Sequence, residues 1–203
     1  MIVDPHPLLD LATLEVRWPA ALGALSVPPW LDALPAAPTA LPPLPEGHAE
    51  RVRALLRHGG FKPAGRNKPC SEYIRNARAE GRFPRIDPVV DLTNLAVLHG
   101  GLPVSTVDLD RTVPPLRVGV ADPGTSYVFN ASGQVIDVGG LLCLHDADGA
   151  CANAVKDAQR TKTTAATVRT LTLVWGTVEL PGRAEEVVAW LREASVRLGG
   201  TPA

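Results

Sequence analysis

The chain has 203 residues, of which 45% are hydrophobic and 20% charged, and its formal net charge is −1; this supports one substantial core, with two small domains the weaker alternative, and excludes bulk disorder. No run approaches the roughly 18 apolar residues that a membrane helix needs, and the opening MIVDPHPLLDL has acids and prolines where a signal peptide is basic and apolar, so a cytoplasmic protein without membrane association is expected. Cys70, Cys143 and Cys151 form no CxxC pair and are odd in number, which fits reduced thiols better than a disulfide or zinc framework.

In chain order, Leu11 to Trp18 alternates as a strand, and residues 1 to 47 read as a strand followed by a proline-rich extension packed on the domain. Half of the twenty prolines precede residue 46, and seven lie between Pro28 and Pro45, a density that predicts an extended connection rather than a helix or central strand. Residues 48 to 203 form the domain proper. Three helices are expected next: Gly47 to His58, ending at Gly59-Gly60; Pro69 to Glu80, ending at Gly81; and Pro88 to His99, ending at Gly100-Gly101. Residues 51 to 85 carry ten lysines and arginines against Glu72 and Glu80, a net +8 that leaves −9 elsewhere. A solvated helical face would explain this charge; so would a surface that follows a phosphate backbone.

The third helix is apolar on all sides, which predicts a core helix, yet it carries Asp91 and Asn94 on one face. Buried without partners, each would cost about 1 to 3 kcal/mol, so the pair predicts either a hydrogen-bonded network or a pocket wall. From Leu102 the pattern turns to short strands: Val104 to Val107, Leu116 to Ala121, Ser126 to Phe129, Gln134 to Val138 and Leu141 to His145, followed by a hairpin turn at Asp146 to Gly149. Thr163 to Trp175 reads as a long strand and Pro181 to Leu198 as an amphipathic helix, so the class is α+β.

Asp91-Leu92-Thr93-Asn94, then Gly101-Leu102-Pro103 and Asp108-Leu109-Asp110-Arg111, resemble the VDxTN…GxP…xD(L)D pattern of the B3/B4 domain in the phenylalanyl-tRNA synthetase β subunit. Lys68-Pro69-Cys70-Ser71-Glu72 and Gly81-Arg82-Phe83-Pro84-Arg85 resemble free-standing members of that family more closely still. The resemblance covers about residues 48 to 200 and is most specific between 65 and 111. It implies a single B3/B4-like domain with a mixed, mostly antiparallel sheet packed with helices, and a pocket for the aminoacyl end of tRNA, whose ester the synthetase domain hydrolyses. Asn94 matches a pocket asparagine. Where the synthetase has a histidine two residues after the GxP turn, this chain has Ser105, and its editing glutamate has no match in the apolar Leu171 to Trp175. Free-standing members carry an aromatic and arginine run where this chain reads Ala152-Asn153-Ala154-Val155-Lys156 after Cys151.

These residues nominate Asn94 and Ser105 as catalytic, and Asp91, Thr93, Gly100, Gly101, Ser71 and Glu72 as substrate-binding. Arg66, Lys68, Arg75, Arg78, Arg82 and Arg85 are the expected tRNA contacts. Asp91 and Asn94 could hold the α-amino group, with N–H groups near Gly100-Gly101 or Ser105 on the ester carbonyl oxygen. For Ser71 and Glu72, at the start of a helix, capping is the simpler reading. His99 at a helix end reads as a dipole partner, Asp108 and Asp110 with Arg111 as a salt-bridged turn, and Cys151 as an ordinary buried thiol. No metal or cofactor motif is present, and none is expected. Three functions stay open: a deacylase of mischarged tRNA, a transferase that joins the aminoacyl group to a small-molecule amine, and a non-catalytic module that binds tRNA or an amino acid.

Overall fold

A computed structural model of the chain describes residues 1–34, 36 and 41–203. Two four-stranded sheets and a small hairpin are packed with helices in an α+β arrangement. The pairing is mixed and mostly antiparallel, as the resemblance implies, with the strands distributed over two main sheets.

The first sheet has the order β10-β2-β9-β3 and is antiparallel throughout. It joins β2 (Leu9–Arg17), β3 (Val104–Asp108), β9 (Arg169–Thr177) and the short terminal β10 (Thr201–Pro202). β2 and β9 pair over nine residues, from Leu9↔Thr177 to Arg17↔Arg169, so the N-terminal strand lies inside the sheet. The second sheet, β1-β4-β7-β8, contains β1 (Ile2–Val3), β4 (Arg117–Val120), β7 (Leu142–Asp146) and β8 (Gly149–Asn153). β1 runs parallel to β4, and the expected turn at Asp146 to Gly149 closes the β7–β8 hairpin. β5 (Ser126–Val128) and β6 (Val135–Asp137) form the separate hairpin.

Among the described residues five helices cover these sheets: α1 (Pro29–Ala33), α2 (His48–Arg57), α3 (Cys70–Ala79), α4 (Pro88–Gly100) and α5 (Arg183–Arg197). α1 corrects the expectation that no helix forms between residues 28 and 45: Pro29 occupies its first turn, where the missing N–H costs nothing. The rest of the expected polyproline connection falls partly outside the described residues. At the start of α4 the Asp87 carboxylate accepts from the N–H groups of Val89 and Val90, both at 2.9 Å, and Pro88 follows as the first helical residue. Gly101, in the left-handed region at φ +71°, ends it. The buried Arg183 then donates to the carbonyls of His99, Gly100 and Pro42 at 2.9–3.0 Å, satisfying oxygens that the helix end leaves open.

β9 begins at Arg169 rather than Thr163. Upstream, Thr167 and Thr164 tie off a turn, with Thr164 N–H donating to Thr167 Oγ1 at 2.8 Å and Thr167 N–H to the Thr164 carbonyl at 3.1 Å. The core gathers on both sides of β9, where Leu173, Val174 and Trp175 are fully buried, with Leu92, Leu95 and Ala96 from α4. Each fully buried leucine contributes about 2 kcal/mol. Among the described residues no helix is long and apolar enough to cross a membrane.

Candidate functional site

The two sheets approach each other where β3, an edge of the first, lies beside β8, an edge of the second. Ser105 on β3 is buried, and its Oγ lies 2.7 Å from Asp157 Oδ1 and 2.9 Å from the Asn153 carbonyl oxygen. The same Oγ accepts the indole N–H of Trp175 at 3.0 Å. Asn153, which ends β8, donates its backbone N–H to Asp157 Oδ1 at 3.1 Å. Its side-chain oxygen accepts from the N–H groups of Val155 and Lys156, and its side-chain nitrogen donates to Tyr127, whose hydroxyl donates to the Lys156 carbonyl at 2.6 Å. The start of α3 closes the junction, because Cys70 N–H donates to the Ala154 carbonyl at 2.9 Å.

Asp157 is the chemical centre of this arrangement. Burial raises its pKa to about 6 against the opposing hydrogen bonds from Ser105 and Asn153 and the charge of Lys162. Both donors use Oδ1; among the described residues Oδ2 accepts from none, and the residue as a whole is half-buried rather than sealed. Neighbouring groups are uncharged near neutral pH. Burial pushes the thiols of Cys70, Cys143 and Cys151 up to about 12, which disqualifies them as thiolate nucleophiles, and raises Tyr127 as well. Cations stand further out. The Lys156 ammonium sits 4.4 Å from the Phe129 ring centre, Lys162 donates to the Phe129 carbonyl at 2.6 Å, and burial together with the charge of Arg66 lowers the pKa of Lys156.

The other nominated residues are dispersed. Asp91 is buried in the wall of a cleft of about 540 Å³ shared with Val27, Asp32, Arg85 and Ile86, where it accepts Ile86 N–H at 2.8 Å and pairs with Arg85 at 3.2 Å. Burial raises its pKa against those two partners. Asn94 lies with Val90 and Leu98 on the half-buried stripe of α4, so this helix is not enclosed on every side; the carboxamide has no hydrogen bond among the described residues. Thr93 belongs to a chain of hydroxyls running through Thr106 to Thr172, at 2.8 and 3.0 Å, that ties α4 to β3 and β9. The Gly100 carbonyl accepts from Arg183, and Gly101 donates its N–H to the Val97 carbonyl, so the Gly101 N–H is not available to a ligand carbonyl.

Several local readings are corrected. Ser71 is buried but caps nothing, and Glu72 is engaged in a bidentate pair with Arg53 at 2.5 and 2.6 Å rather than with helix N–H groups. His99 contacts the Leu34 carbonyl at 3.1 Å, and burial lowers its pKa, which removes the charge a dipole partner needs. The turn at Asp108 is held by Asp110 N–H and the Thr167 hydroxyl on the Asp108 carboxylate; Asp110 pairs with Arg169, and Arg111 donates to the Lys162 carbonyl.

The +8 segment is less free than its formula suggests. Arg53, Arg57 and Arg82 pair with Glu72, Glu50 and Glu80, while Arg85 pairs with Asp32 and Asp91. Arg75 contacts His48 at 2.5 Å, and Arg78 is half-buried on α3. Lys62, Arg66 and Lys68 are exposed, with no side-chain partner among the described residues. Available positive charge therefore concentrates in the loop leading into Cys70. Among the described residues no group of three or more His, Cys, Asp or Glu side chains could hold a metal ion.

No family model and no curated protein matches the chain. Among solved structures, an N-terminal fragment of the phenylalanyl-tRNA synthetase β subunit from Pyrococcus horikoshii aligns over 95% of this chain with a TM-score of 0.49 and 12% identity. The present chain spans 46% of that fragment.

Sequence reasoning missed Asp157, Asn153 and Trp175. Asp157 sits in the unremarkable run Ala154-Val155-Lys156-Asp157-Ala158, and its serine partner is 52 positions away. Ser105 was legible only through the motif position it occupies.

Proposed function

We propose that the protein acts on the aminoacyl ester of an aminoacyl-tRNA, as a deacylase that hydrolyses mischarged tRNA. The observation that carries this reading is the meeting of two unlike features: the unpaired cations Lys62, Arg66 and Lys68 lead directly into Cys70, whose N–H is bonded to the segment bearing Asp157. A phosphate chain laid on the loop brings its terminal nucleotide to a carboxylate at the sheet junction. The motif resemblance from residues 65 to 111 supports the same substrate.

An aminoacyl ester is already activated, so the protein's task is to position it and admit the attacker. When water adds to the carbonyl carbon, the bond to the ribose oxygen breaks, the ribose recovers its proton and the amino acid is released. A second reading follows from the site's composition: Ser105 replaces the synthetase histidine, and its hydroxyl is directed to Asp157 and Asn153. A primary amine in place of water would then give an amide, and the protein would be a transferase.

Binding of uncharged tRNA, followed by anisotropy from about 50 to about 200 mM salt, tests the polynucleotide half of the proposal, because each neutralised phosphate adds to the salt slope. Affinity is expected to fall steeply, and Arg66→Glu with Lys68→Glu to weaken binding more than Arg82→Ala with Arg85→Ala. A flat salt response, or equal losses in the two double variants, contradicts it.

A further inference from the structure

We propose that Asp157 is the seat of a ligand ammonium group, which under the function proposed above is the α-ammonium of the aminoacyl moiety. Ser105 and Asn153 hold Oδ1 from inside, so the carboxylate is fixed in place while Oδ2 still lacks a donor. An ammonium supplies that donor and a positive charge in direct contact, where the protein offers the charge of Lys162 without an ion pair.

The fully buried acids Asp91, Asp108 and Asp146 are already matched, and so is Glu72. Asp91 has Arg85, Glu72 has Arg53, and Asp146 has a bidentate Arg160 at 2.6 Å. Asp108 has no cation, but both its oxygens are filled, by Asp110 N–H and the Thr167 hydroxyl. Asp157 combines desolvation, internal anchoring and an open oxygen. This moves the amine-binding role from Asp91 and Asn94, where the motif placed it, to the end of β8.

The surroundings also select what carries the ammonium. Cys70, Tyr127, Cys143 and Cys151 face the carboxylate as neutral groups and do not oppose a cation. Lys162, whose charge reaches Asp157, and the outlying Lys156 and Arg66 weaken the hold on a free amine without excluding it, and attract phosphate. An ammonium attached to a polyanion meets both conditions.

The test titrates the full chain with a panel of L-amino-acid amides and their N-acetyl counterparts, following the Trp175 indole N–H and the Asn153 amide by NMR. At least one amide is expected to shift both resonances at neutral pH, its N-acetyl form to leave them unmoved, and Asp157→Asn to weaken binding at least tenfold. Equal response to acetylated and free amines, unmoved resonances across the panel, or undiminished binding by folded Asp157→Asn overturns the assignment. The acetylation comparison uses the unaltered protein and so does not depend on the variant folding. If amides bind while uncharged tRNA does not, the proposed function falls and the ammonium site stands.

Discussion

Ser105 has one hydroxyl proton and three polar neighbours. Trp175 donates to it, and the Asp157 carboxylate and the Asn153 carbonyl both lie within hydrogen-bond distance. With Asp157 ionised, the proton goes to the carboxylate and the Asn153 carbonyl loses its donor; with Asp157 protonated, Asp157 donates to Ser105 and Ser105 to Asn153. The network can therefore accommodate either form, and it is burial that raises the pKa to about 6, against the hydrogen bonds that Ser105 and Asn153 give the carboxylate. An aspartate whose folded pKa exceeds its unfolded value contributes stability that is present below the unfolded value and is lost as pH rises through about 6. Asp157→Asn mimics the protonated form, so above pH 7 it is expected to be more stable than the parent by about 3 kcal/mol, with the gain vanishing below about pH 4. Urea melts from pH 4 to 8 check this; a variant less stable than the parent at pH 8 contradicts it. Ser105 was visible in the sequence as a position after Gly101-Leu102-Pro103, but its hydrogen-bonding role was not, because a one-dimensional pattern carries no information about a partner brought in from another sheet.

At the scale of elements, punctuation was the reliable signal. Gly81 and Gly101 end α3 and α4 where expected, and the strand alternation of β2 to β7 survives within a residue or two at most ends. The failures share a cause: local hydroxyls, prolines or distant side chains overrode the pattern. Threonines 164 and 167 turn the chain before β9, prolines start α1, and Arg183, distant in sequence, finishes α4. Removing Arg183 leaves the carbonyls of His99 and Gly100 without their side-chain donor in a packed interior where Gly100 has no room for a Cβ, since that atom would lie 2.6 Å from Val187 Cγ2. Arg183→Ala is accordingly expected to destabilise the fold by about 1 to 3 kcal/mol, while Arg82→Ala, which loses only an exposed pair with Glu80, changes stability by less than about 1 kcal/mol. Thermal melts of the two variants decide the point; equal losses would mean that Arg183 does not close the helix.

Across the whole molecule, the +8 segment and −9 remainder were legible as numbers but not as a surface. Internal pairing consumes Arg53, Arg57, Arg82 and Arg85 and leaves the Lys62–Lys68 loop, which leads into Cys70, as the exposed cationic part of that segment among the described residues. The α+β class followed from the order of helical and strand periods; the division into two sheets did not, because the β3–β8 approach rests on contacts between side chains far apart in sequence. That approach places a partly accessible carboxylate near an exposed cationic loop, where the proposed reaction of an aminoacyl-tRNA ester would take place. The most direct measurement incubates the protein with a panel of radiolabelled aminoacyl-tRNAs, with and without small primary amines, and follows free amino acid and new amide. At least one charged tRNA is expected to be consumed faster than in buffer, with the rate lost in Asp157→Asn; consumption of none above the buffer rate, while uncharged tRNA still binds, contradicts the claim and leaves a tRNA-binding module.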